Sequence, residues 1–192
     1  MSRTDRSLRI IGGRFRGRKL PVPEQPGLRP TGDRVRETLF NWLQPVIAGA
    51  RCLDLFAGSG ALGFEASSRG AAEVLMIERS QPVARLLRTN AHTLGVVQVQ
   101  VRRADALDWL SGSGVPFDIV FLDPPFDKGL LGPSCALLSD RGWLAKGALV
   151  YLEAPAKQEL PVLPGGWRLA RDKKAGQVRF MLAVAHDEGA AI

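Results

Sequence analysis

The sequence predicts an α/β protein built on a doubly wound, largely parallel sheet. Short apolar runs with the length of buried strands alternate with amphipathic helical segments, and a glycine-rich turn follows the first clear strand, Arg51–Phe56. The last two strand patterns, at 167–174 and 178–185, follow one another directly in the sequence. We therefore expect a parallel sheet that is closed by an antiparallel strand pair.

The composition is that of one globular domain with a short appendage. Hydrophobic residues make up 45% of the 192 residues, which is enough for a full core. No apolar run approaches the ~20 residues of a membrane span, and the first residues lack the apolar centre of a signal peptide, so we expect a cytoplasmic protein without membrane contact. Cys52 and Cys135 lie far apart in apolar surroundings, which favours buried free thiols over a zinc site or a disulfide.

The basic charge is concentrated near the amino terminus. Residues 1–36 contain ten Arg and Lys residues and three acids, and the difference of +7 equals the net charge of the whole chain. An excess confined to one segment indicates a polyanionic partner. A disordered basic tail that only aids solubility is the alternative.

The amino-terminal segment is predicted to form a small basic hairpin. In residues 8–20 short apolar pieces flank a glycine-rich turn, and a hairpin of this size must lean on the main domain or on a substrate. A proline-rich connector then leads to a helix that runs to about Gln44, with Thr31 or Asp33 as its cap. The buried stripe of this helix should consist of Val35, Leu39, Trp42 and Leu43.

The turn after the first strand has the spacing of a nucleotide-binding loop. Gly58, Gly60 and Gly63 allow the backbone to approach a ligand closely and allow the next helix to pack near its strand. The second strand, Glu73–Ile77, is followed by Glu78, whose carboxylate can accept hydrogen bonds from the two hydroxyls of a ribose. This geometry suits a bound adenosine, and it would equally serve NAD.

The remaining elements continue the alternation of strands and helices. A helix from Ser80 to Leu94 is followed by a strand at 96–101. Asp105 comes next, and it could accept a bond from an adenine amino group or cap a helix at 106–110; the two roles are compatible. A helix at 129–141 and a strand at 148–153 precede the closing pair. The resulting bounds are 1–28 for the arm and linker, 29–186 for the main domain and 187–192 for a frayed tail.

The most informative stretch is Asp123–Phe126, with the sequence Asp-Pro-Pro-Phe, which directly follows the apolar strand Phe117–Leu122. The two prolines end the strand, so a rigid extended turn leaves the sheet at its carboxyl edge, where open α/β sheets bind ligands. A carboxylate, two carbonyls and an aromatic ring in one place suit a flat base that carries an amino group. A plain strand-ending turn is the alternative.

Three features favour a methyl donor over NAD as the bound nucleotide. Asp54 lies in the strand before Gly58, where the strand of a dehydrogenase is usually apolar. An NAD-binding fold does not need the closing antiparallel pair. Asp123–Phe126 supplies an acceptor for an amino group and a ring for stacking, but no pair of groups that would relay a proton in hydride chemistry.

These residues resemble the RsmD family, bacterial guanine-N2 methyltransferases of small-subunit ribosomal RNA. The resemblance covers residues 8–184 and is carried by four motifs, Arg9–Gly13, Arg29–Glu37, Asp54–Gly63 and Phe121–Phe126. The last motif is shared by many amino-group methyltransferases, whereas the first two are much narrower. Gly32 departs from the family, which more often has a hydroxyl residue at this position.

The resemblance implies the Rossmann-like fold of class I S-adenosylmethionine-dependent methyltransferases, S-adenosylmethionine as donor and no metal. It also implies that a monomer methylates the N2 amine of a guanine in 16S ribosomal RNA, either free or within the assembling small subunit. The residues expected to bind the donor are Asp54, Phe56, Gly58, Ser59, Gly60, Glu78, Arg79, Asp105, Ala106 and Thr31. Those expected to act in catalysis are Asp123, Pro124, Pro125 and Phe126. Those expected to bind RNA are Arg9, Arg14, Arg16, Arg18, Lys19, Arg29 and Arg34.

Two other functions stay open at this point. A DNA amino-group methyltransferase could use the same Asp-Pro-Pro-Phe motif, although nothing in this short chain resembles a target-recognition domain. A basic ribosome-assembly factor could keep the nucleoside-binding fold without catalysis. The presence of both Glu78 and an intact Asp123–Phe126 argues against that second alternative.

Overall fold

Strands and helices alternate along the chain in the predicted order. The computed structural model describes residues 7–23 and 32–185. Its strands are β1 (Ser7–Arg9), β2 (Lys19–Pro21), β3 (Arg51–Asp54), β4 (Glu73–Glu78), β5 (Val99–Arg103), β6 (Phe117–Leu122), β7 (Leu144–Pro155), β8 (Arg168–Ala175) and β9 (Val178–Val184). Its α-helices are α1 (Asp33–Leu43), α2 (Ala61–Ser68), α3 (Gln81–Leu94), α4 (Ala106–Leu110) and α5 (Leu131–Asp140).

Seven strands form one sheet in the order β5-β4-β3-β6-β7-β9-β8. The five strands from β5 to β7 in this order are parallel, β9 is antiparallel to β7, and β8 is antiparallel to β9. The parallel sheet and its closing antiparallel pair are therefore confirmed. Strand order reverses at β3, which pairs with β4 on one side and β6 on the other, so a ligand-binding crevice is expected at the carboxyl ends of these strands.

Helices cover both faces of the sheet. One face packs against α1, α2 and α3 around a core that includes Phe40, Phe64 and Phe121. The other face packs against α4 and α5. Cys52 and Cys135 are buried free thiols, one in each core, as the sequence predicts. No helix in the described ranges 7–23 and 32–185 is long and apolar enough to cross a membrane.

Some predicted boundaries were wrong, for local reasons. Helix α1 begins at Asp33 after Gly32, which has no side chain to form a cap, so Asp33 is not the cap residue; Thr31 lies outside the described residues. Strand β5 begins at Val99 rather than at 96, because the Val96 N–H closes the end of α3 on the Ala91 carbonyl at 3.1 Å. The residues predicted to form a frayed tail also lie outside the described part of the chain.

Strands β1 and β2 form an antiparallel hairpin that belongs to the core. Leu8 lies opposite Leu20 in its register, and both side chains are buried together with Ile10 against the α1 face of the sheet. The Asn90 side chain of α3 donates a hydrogen bond to the Pro21 carbonyl at 3.0 Å. The sequence left open whether this hairpin packs on the main domain or on a substrate, and the structure shows that it packs on the main domain.

The glycine pair of the hairpin packs against the end of α2. The Phe15 N–H donates to the Ser68 hydroxyl oxygen at 2.9 Å, and that hydroxyl donates to the Gly12 carbonyl at 2.6 Å. Gly13 has a positive φ of 73°, and a Cβ on it would collide with the Ser68 carbonyl oxygen. Gly13 is therefore required for the close approach of two backbones.

A buried carboxylate ties the hairpin to two helices. Glu65 of α2 is 0% exposed and accepts a hydrogen bond from the Ile11 N–H at 3.0 Å. It forms ion pairs with Arg69 at 2.8 Å and with Arg36 of α1 at 3.5 Å, and Arg36 also donates to the Arg9 carbonyl at 3.0 Å. Arg36 is 1% exposed, so this member of the amino-terminal basic excess has a structural role.

We predict that Gly13→Ala destabilises the fold more than Gly17→Ala does. Both glycines have positive φ, and a Cβ on Gly17 meets its nearest atom only at 4.0 Å. Gly17→Ala should therefore cost the backbone strain alone, roughly 1–2 kcal/mol. Gly13→Ala should cost about 1–3 kcal/mol more, because the methyl group also overpacks the contact with Ser68. Urea unfolding of the two variants measures the difference, and equal losses would contradict the packing role.

Candidate active site

Asp54 ends β3 at the point where the strand order reverses. Its side chain is 2% exposed, and it accepts a hydrogen bond from the Gly63 N–H of α2 at 3.0 Å. Burial raises the pKa of Asp54 to about 7 from an ordinary value of 3.8; the Gly63 N–H opposes this rise, and the charges of Asp123 and Glu78 add to it. A Cβ on Gly63 would collide with Met76, so close packing of α2 on the sheet requires the third glycine of the turn.

The backbone conformation of the turn also favours glycine at its other two glycine positions. Gly58 and Gly60 have φ values of 49° and 79°, in the left-handed region that favours glycine. A Cβ on Gly60 would lie 2.5 Å from the Phe64 ring. Ser59 between them is buried, and Phe56 before them is half-buried. The turn thus brings bare backbone to the carboxyl edge of the sheet, as the glycine spacing predicts.

Glu78 fixes the glycine turn to the end of the neighbouring strand β4. One of its carboxylate oxygens accepts from the Gly58 N–H at 3.0 Å, and the other accepts from the Ser80 N–H at 2.7 Å. These two bonds hold the half-buried carboxylate in one orientation. A carboxylate oxygen has more than one acceptor site, so Glu78 can still accept hydrogen bonds from a ligand.

The remaining donor-site candidates lie around this edge. Asp105 is exposed and caps α4, accepting from the N–H groups of Leu107 at 3.0 Å and Asp108 at 3.4 Å. The capping role is therefore confirmed, and an adenine contact stays a prediction. Ala106 is buried below it, and Arg79 after Glu78 is exposed.

Asp123–Phe126 leaves the sheet directly after β6. Asp123 is half-buried and Pro124 is buried, whereas the Phe126 ring is 40% exposed. The Pro125 carbonyl accepts from the Lys128 N–H at 3.2 Å in a single 3₁₀ turn. The chain therefore turns away from the sheet at this motif, and the aromatic ring stays accessible.

A cavity of about 360 Å³ opens beside this motif. Its volume is within the range of pockets that bind one small ligand. It is lined by residues 124–126, by 129–133 at the start of α5, by 153–155 at the end of β7, and by 158–161 in the loop that follows.

Sequence analysis missed a buried carboxylate next to Asp123. Strand β7 pairs with β6 so that Leu152 lies opposite Leu122, and Glu153 is therefore level with Asp123. Glu153 is 5% exposed and accepts a hydrogen bond from the Tyr151 hydroxyl at 2.7 Å. Burial and, next, the charge of Asp123 raise the pKa of Glu153 to about 8, whereas the Tyr151 hydroxyl lowers it. The i, i+2 spacing of Tyr151 and Glu153 indicates a shared strand face, but the sequence does not give the register.

Four carboxylates thus line one edge of the sheet. Asp54, Asp123 and Glu153 stand at the ends of three adjacent strands, and Glu78 ends the strand on the other side of β3. The charge of Asp123 contributes to the raised pKa values of Asp54 and Glu153, so this edge favours a bound cation. Within residues 7–23 and 32–185, no group of three or more His, Cys, Asp and Glu side chains is arranged to hold a metal ion.

The basic residues assigned to RNA lie on the outer surface. The exposed members are Arg9, Arg14, Arg16, Arg18, Lys19 and Arg34. Arg29 lies outside the described residues. The Arg14 guanidinium is 5.3 Å from the centre of the Phe15 ring. The hairpin therefore combines an apolar inner side with a cationic outer side.

The sheet order, the glycine turn after β3 and the acid that ends β4 define a class I S-adenosylmethionine-dependent methyltransferase fold. A family model described as "Conserved hypothetical protein 95" matches residues 8–184. Ribosomal RNA small subunit methyltransferase D of Escherichia coli is 53% identical over 182 residues, which cover 95% of this chain and 92% of the relative. The chain belongs to this family, the RsmD family.

Other relatives agree with this family and fold. The protein of the same name from Haemophilus influenzae is 47% identical over 179 residues, which cover 91% of this chain and 92% of the relative. The solved structure of the Escherichia coli protein yhhF has a TM-score of 0.89 and 50% identity, covering 94% of this chain and 99% of that chain.

We predict that Glu153→Gln becomes more stable relative to the parent as the pH rises from about 4.5 to about 8. The folded parent retains the Glu153 proton up to a pKa of about 8, whereas the unfolded chain releases it near 4.5, so the parent loses stability across this window. The neutral Gln side chain does not titrate. The gain in relative free energy of unfolding should exceed about 1.4 kcal/mol. Urea unfolding at several pH values measures it, and a difference that is constant with pH would contradict the prediction.

Proposed function

We propose that this protein transfers a methyl group from S-adenosylmethionine to the N2 amine of a guanine in small-subunit (16S) ribosomal RNA. The observation that carries this proposal is the pairing of β3 with β6, which puts Asp123–Phe126 beside Asp54 and the glycine turn. Two relatives support the choice of substrate, since both are named ribosomal RNA small subunit methyltransferase D. We place the reaction in the cytoplasm and expect the enzyme to act as a monomer.

The residues of the crevice fit this donor. S-adenosylmethionine is cationic at its sulfonium and ammonium groups, so the acidic residues at the sheet edge would attract it. When bound, it supplies a methyl group that is activated by the positive sulfur. We assign Asp54 and the glycine turn to its methionine end, Glu78 to its ribose hydroxyls and Asp105 to its adenine. The flanking residues assigned to the same ligand are Phe56, Ser59, Arg79, Ala106 and Thr31.

Asp123 and Pro124 make the guanine amine reactive. The lone pair of this nitrogen is delocalised into the ring, which makes it a poor nucleophile. If the Asp123 carboxylate and the Pro124 carbonyl accept its two N–H bonds, the nitrogen is drawn toward tetrahedral geometry and its lone pair becomes available. We choose the Pro124 carbonyl because that of Pro125 already accepts from the Lys128 N–H. We also assign to the Asp123 carboxylate the proton that the amine releases.

Phe126 receives the base. A guanine within folded RNA must be unstacked before its amine can reach the end of β6. The exposed Phe126 ring offers a stacking surface next to the cavity at Asp123–Phe126. The exposed basic residues of the hairpin would contact the phosphates of the same RNA.

The direct test uses S-adenosylmethionine with a labelled methyl group. The protein is incubated with free small-subunit ribosomal RNA, with partly assembled small subunits and with duplex DNA, and the labelled nucleoside is identified. N2-methylguanine at one position of the ribosomal RNA is the expected product. Label in DNA alone, or in none of the three, would overturn the proposal.

We predict that Glu78→Ala weakens binding of S-adenosylmethionine by roughly 1.5–3 kcal/mol, as expected for a hydrogen bond to a charged group. The control is Glu73→Ala, which removes an acid from the opposite end of the same strand, where it pairs with Arg51 at 2.8 Å. Donor affinity of the control should equal that of the parent. Calorimetry measures both, and tight binding of NAD without binding of S-adenosylmethionine would rule out the donor assignment.

We predict that Asp123→Ala lowers turnover by about two to three orders of magnitude, because one preorganised electrostatic contact is lost. Donor affinity should change little. Asp118→Ala is the control, since Asp118 lies at the start of the same strand and accepts from the Arg51 N–H at 2.8 Å. Single-turnover methylation of the RNA gives the rates. Parental turnover by Asp123→Ala would show that Asp123 only ends a strand.

A further inference from the structure

Strand β8 carries a second cluster of exposed cations. We call Arg171, Lys173 and Lys174 the β8 basic edge; all three are exposed. The acid within this stretch, Asp172, is held by Arg179 of β9 through hydrogen bonds of 2.9 and 2.5 Å. The Arg179 guanidinium lowers the pKa of Asp172, which keeps the pair ionised. The pair is neutral as a whole, so the net charge along this edge is positive.

The β8 basic edge lies at the same end of the sheet as Asp123. In the strand register, Glu153 of β7 is opposite Phe180 of β9, and Phe180 is opposite Lys173. Lys173 and Glu153 are separated by two strand spacings, which is about 10 Å. The end of β6 lies one strand spacing beyond Glu153. This separation is within reach of the phosphates that flank a nucleotide bound at Asp123.

Two of these cations share the sheet face that the hairpin covers. Lys173 is level with Phe180, whose side chain belongs to the core on the α1 face, and Arg171 is level with Leu182 in the same core. The Lys173 ammonium lies 5.8 Å from the ring centre of Trp42 in α1. The hairpin contacts α2 and α3, which follow β3 and β4 along the chain, so the hairpin and β8 lie on different sides of β6 and β7 in the strand order.

We propose that the β8 basic edge binds the phosphate backbone of the RNA substrate, on the β7 side of Asp123. This inference rests on the proposed function. Charge complementarity selects the partner, because Arg171 and Lys173 are not neutralised by the Asp172 pair and lie on one face of β8, with Lys173 level with Glu153. Charged residues also protect edge strands from pairing with other chains. That role is satisfied by charge of either sign and does not require a location near the catalytic edge, so RNA is the favoured explanation.

The test compares two double variants of the full chain that each remove one Arg and one Lys. R171Q/K173Q removes the two cations on the hairpin face, and R141Q/K146Q removes two exposed cations near the start of β7, at the opposite edge of the sheet. Affinity for small-subunit ribosomal RNA is measured between about 50 and 200 mM KCl. Calorimetry with S-adenosylmethionine and thermal melting check that both variants are folded.

The expected result is weaker RNA binding by R171Q/K173Q alone. The slope of log affinity against log salt should become shallower by about 1–2, since each lost phosphate contact removes roughly 0.7–0.9. R141Q/K146Q should keep the parental slope, and R171K/K173R, which retains both charges, should restore it. Lys174 points to the other face, so K174Q alone should change the slope by less than the double variant does.

Two results would overturn the inference. If R171Q/K173Q binds RNA with the parental slope, the β8 basic edge does not contact phosphate, and the proposed function is unaffected. If the slope is unchanged and the variant self-associates in light scattering, the cations serve to prevent edge pairing. Failure of the proposed function is distinct, because the parent itself would then neither bind nor methylate the RNA.

Discussion

The parallel pairing of β3 with both β4 and β6 is the constraint on which the candidate site depends. It brings the ends of strands from distant parts of the chain to one edge, so Asp54, Glu78 and Asp123 become neighbours. Such crowding of acids opposes folding, and backbone N–H groups at Gly58 and Gly63 compensate in part. Asp54 and Glu78 are thus held in place by the same turn that would face the ligand, and the acids gathered at this edge suit it to a cation.

A second constraint acts away from this edge. Glu65 is fully buried, and it is tolerated because Arg36, Arg69 and the Ile11 N–H satisfy it from three segments of the chain. Removing one partner of such a network leaves a buried charge uncompensated, which is strongly destabilising. The network fixes the hairpin on the main domain. The cationic outer side of the hairpin is therefore presented by an element that is anchored to the main domain, which would favour the RNA contact that we propose for it.

Local patterns were sufficient to predict the sheet, the glycine turn and the strand end at Asp123, because each depends on residues that are adjacent in sequence. They failed where the outcome depends on register or burial. Glu153 becomes a neighbour of Asp123 only through the β6–β7 register. Arg36 was counted in the amino-terminal basic excess, and its burial against Glu65 cannot be predicted from local sequence. The sequence did not indicate the cluster of cations on β8, because the net charge of residues 37–192 is zero. The net charge of a domain does not show where like charges lie close together on one strand.

The closing antiparallel pair has a consequence for substrate binding. Strand β9 is antiparallel to β7, and β8 is antiparallel to β9. Strand β8 therefore runs in the same direction as β7, and its carboxyl end lies at the edge where the parallel strands end. A single parallel strand beyond β7 would need a crossover helix, which would cover one face of the sheet. Because β8 pairs with β9 in an antiparallel manner, it is instead the last strand on one side of the sheet. The exposed cations of β8 are thus carried to the edge of the sheet at which Asp54 and Asp123 lie.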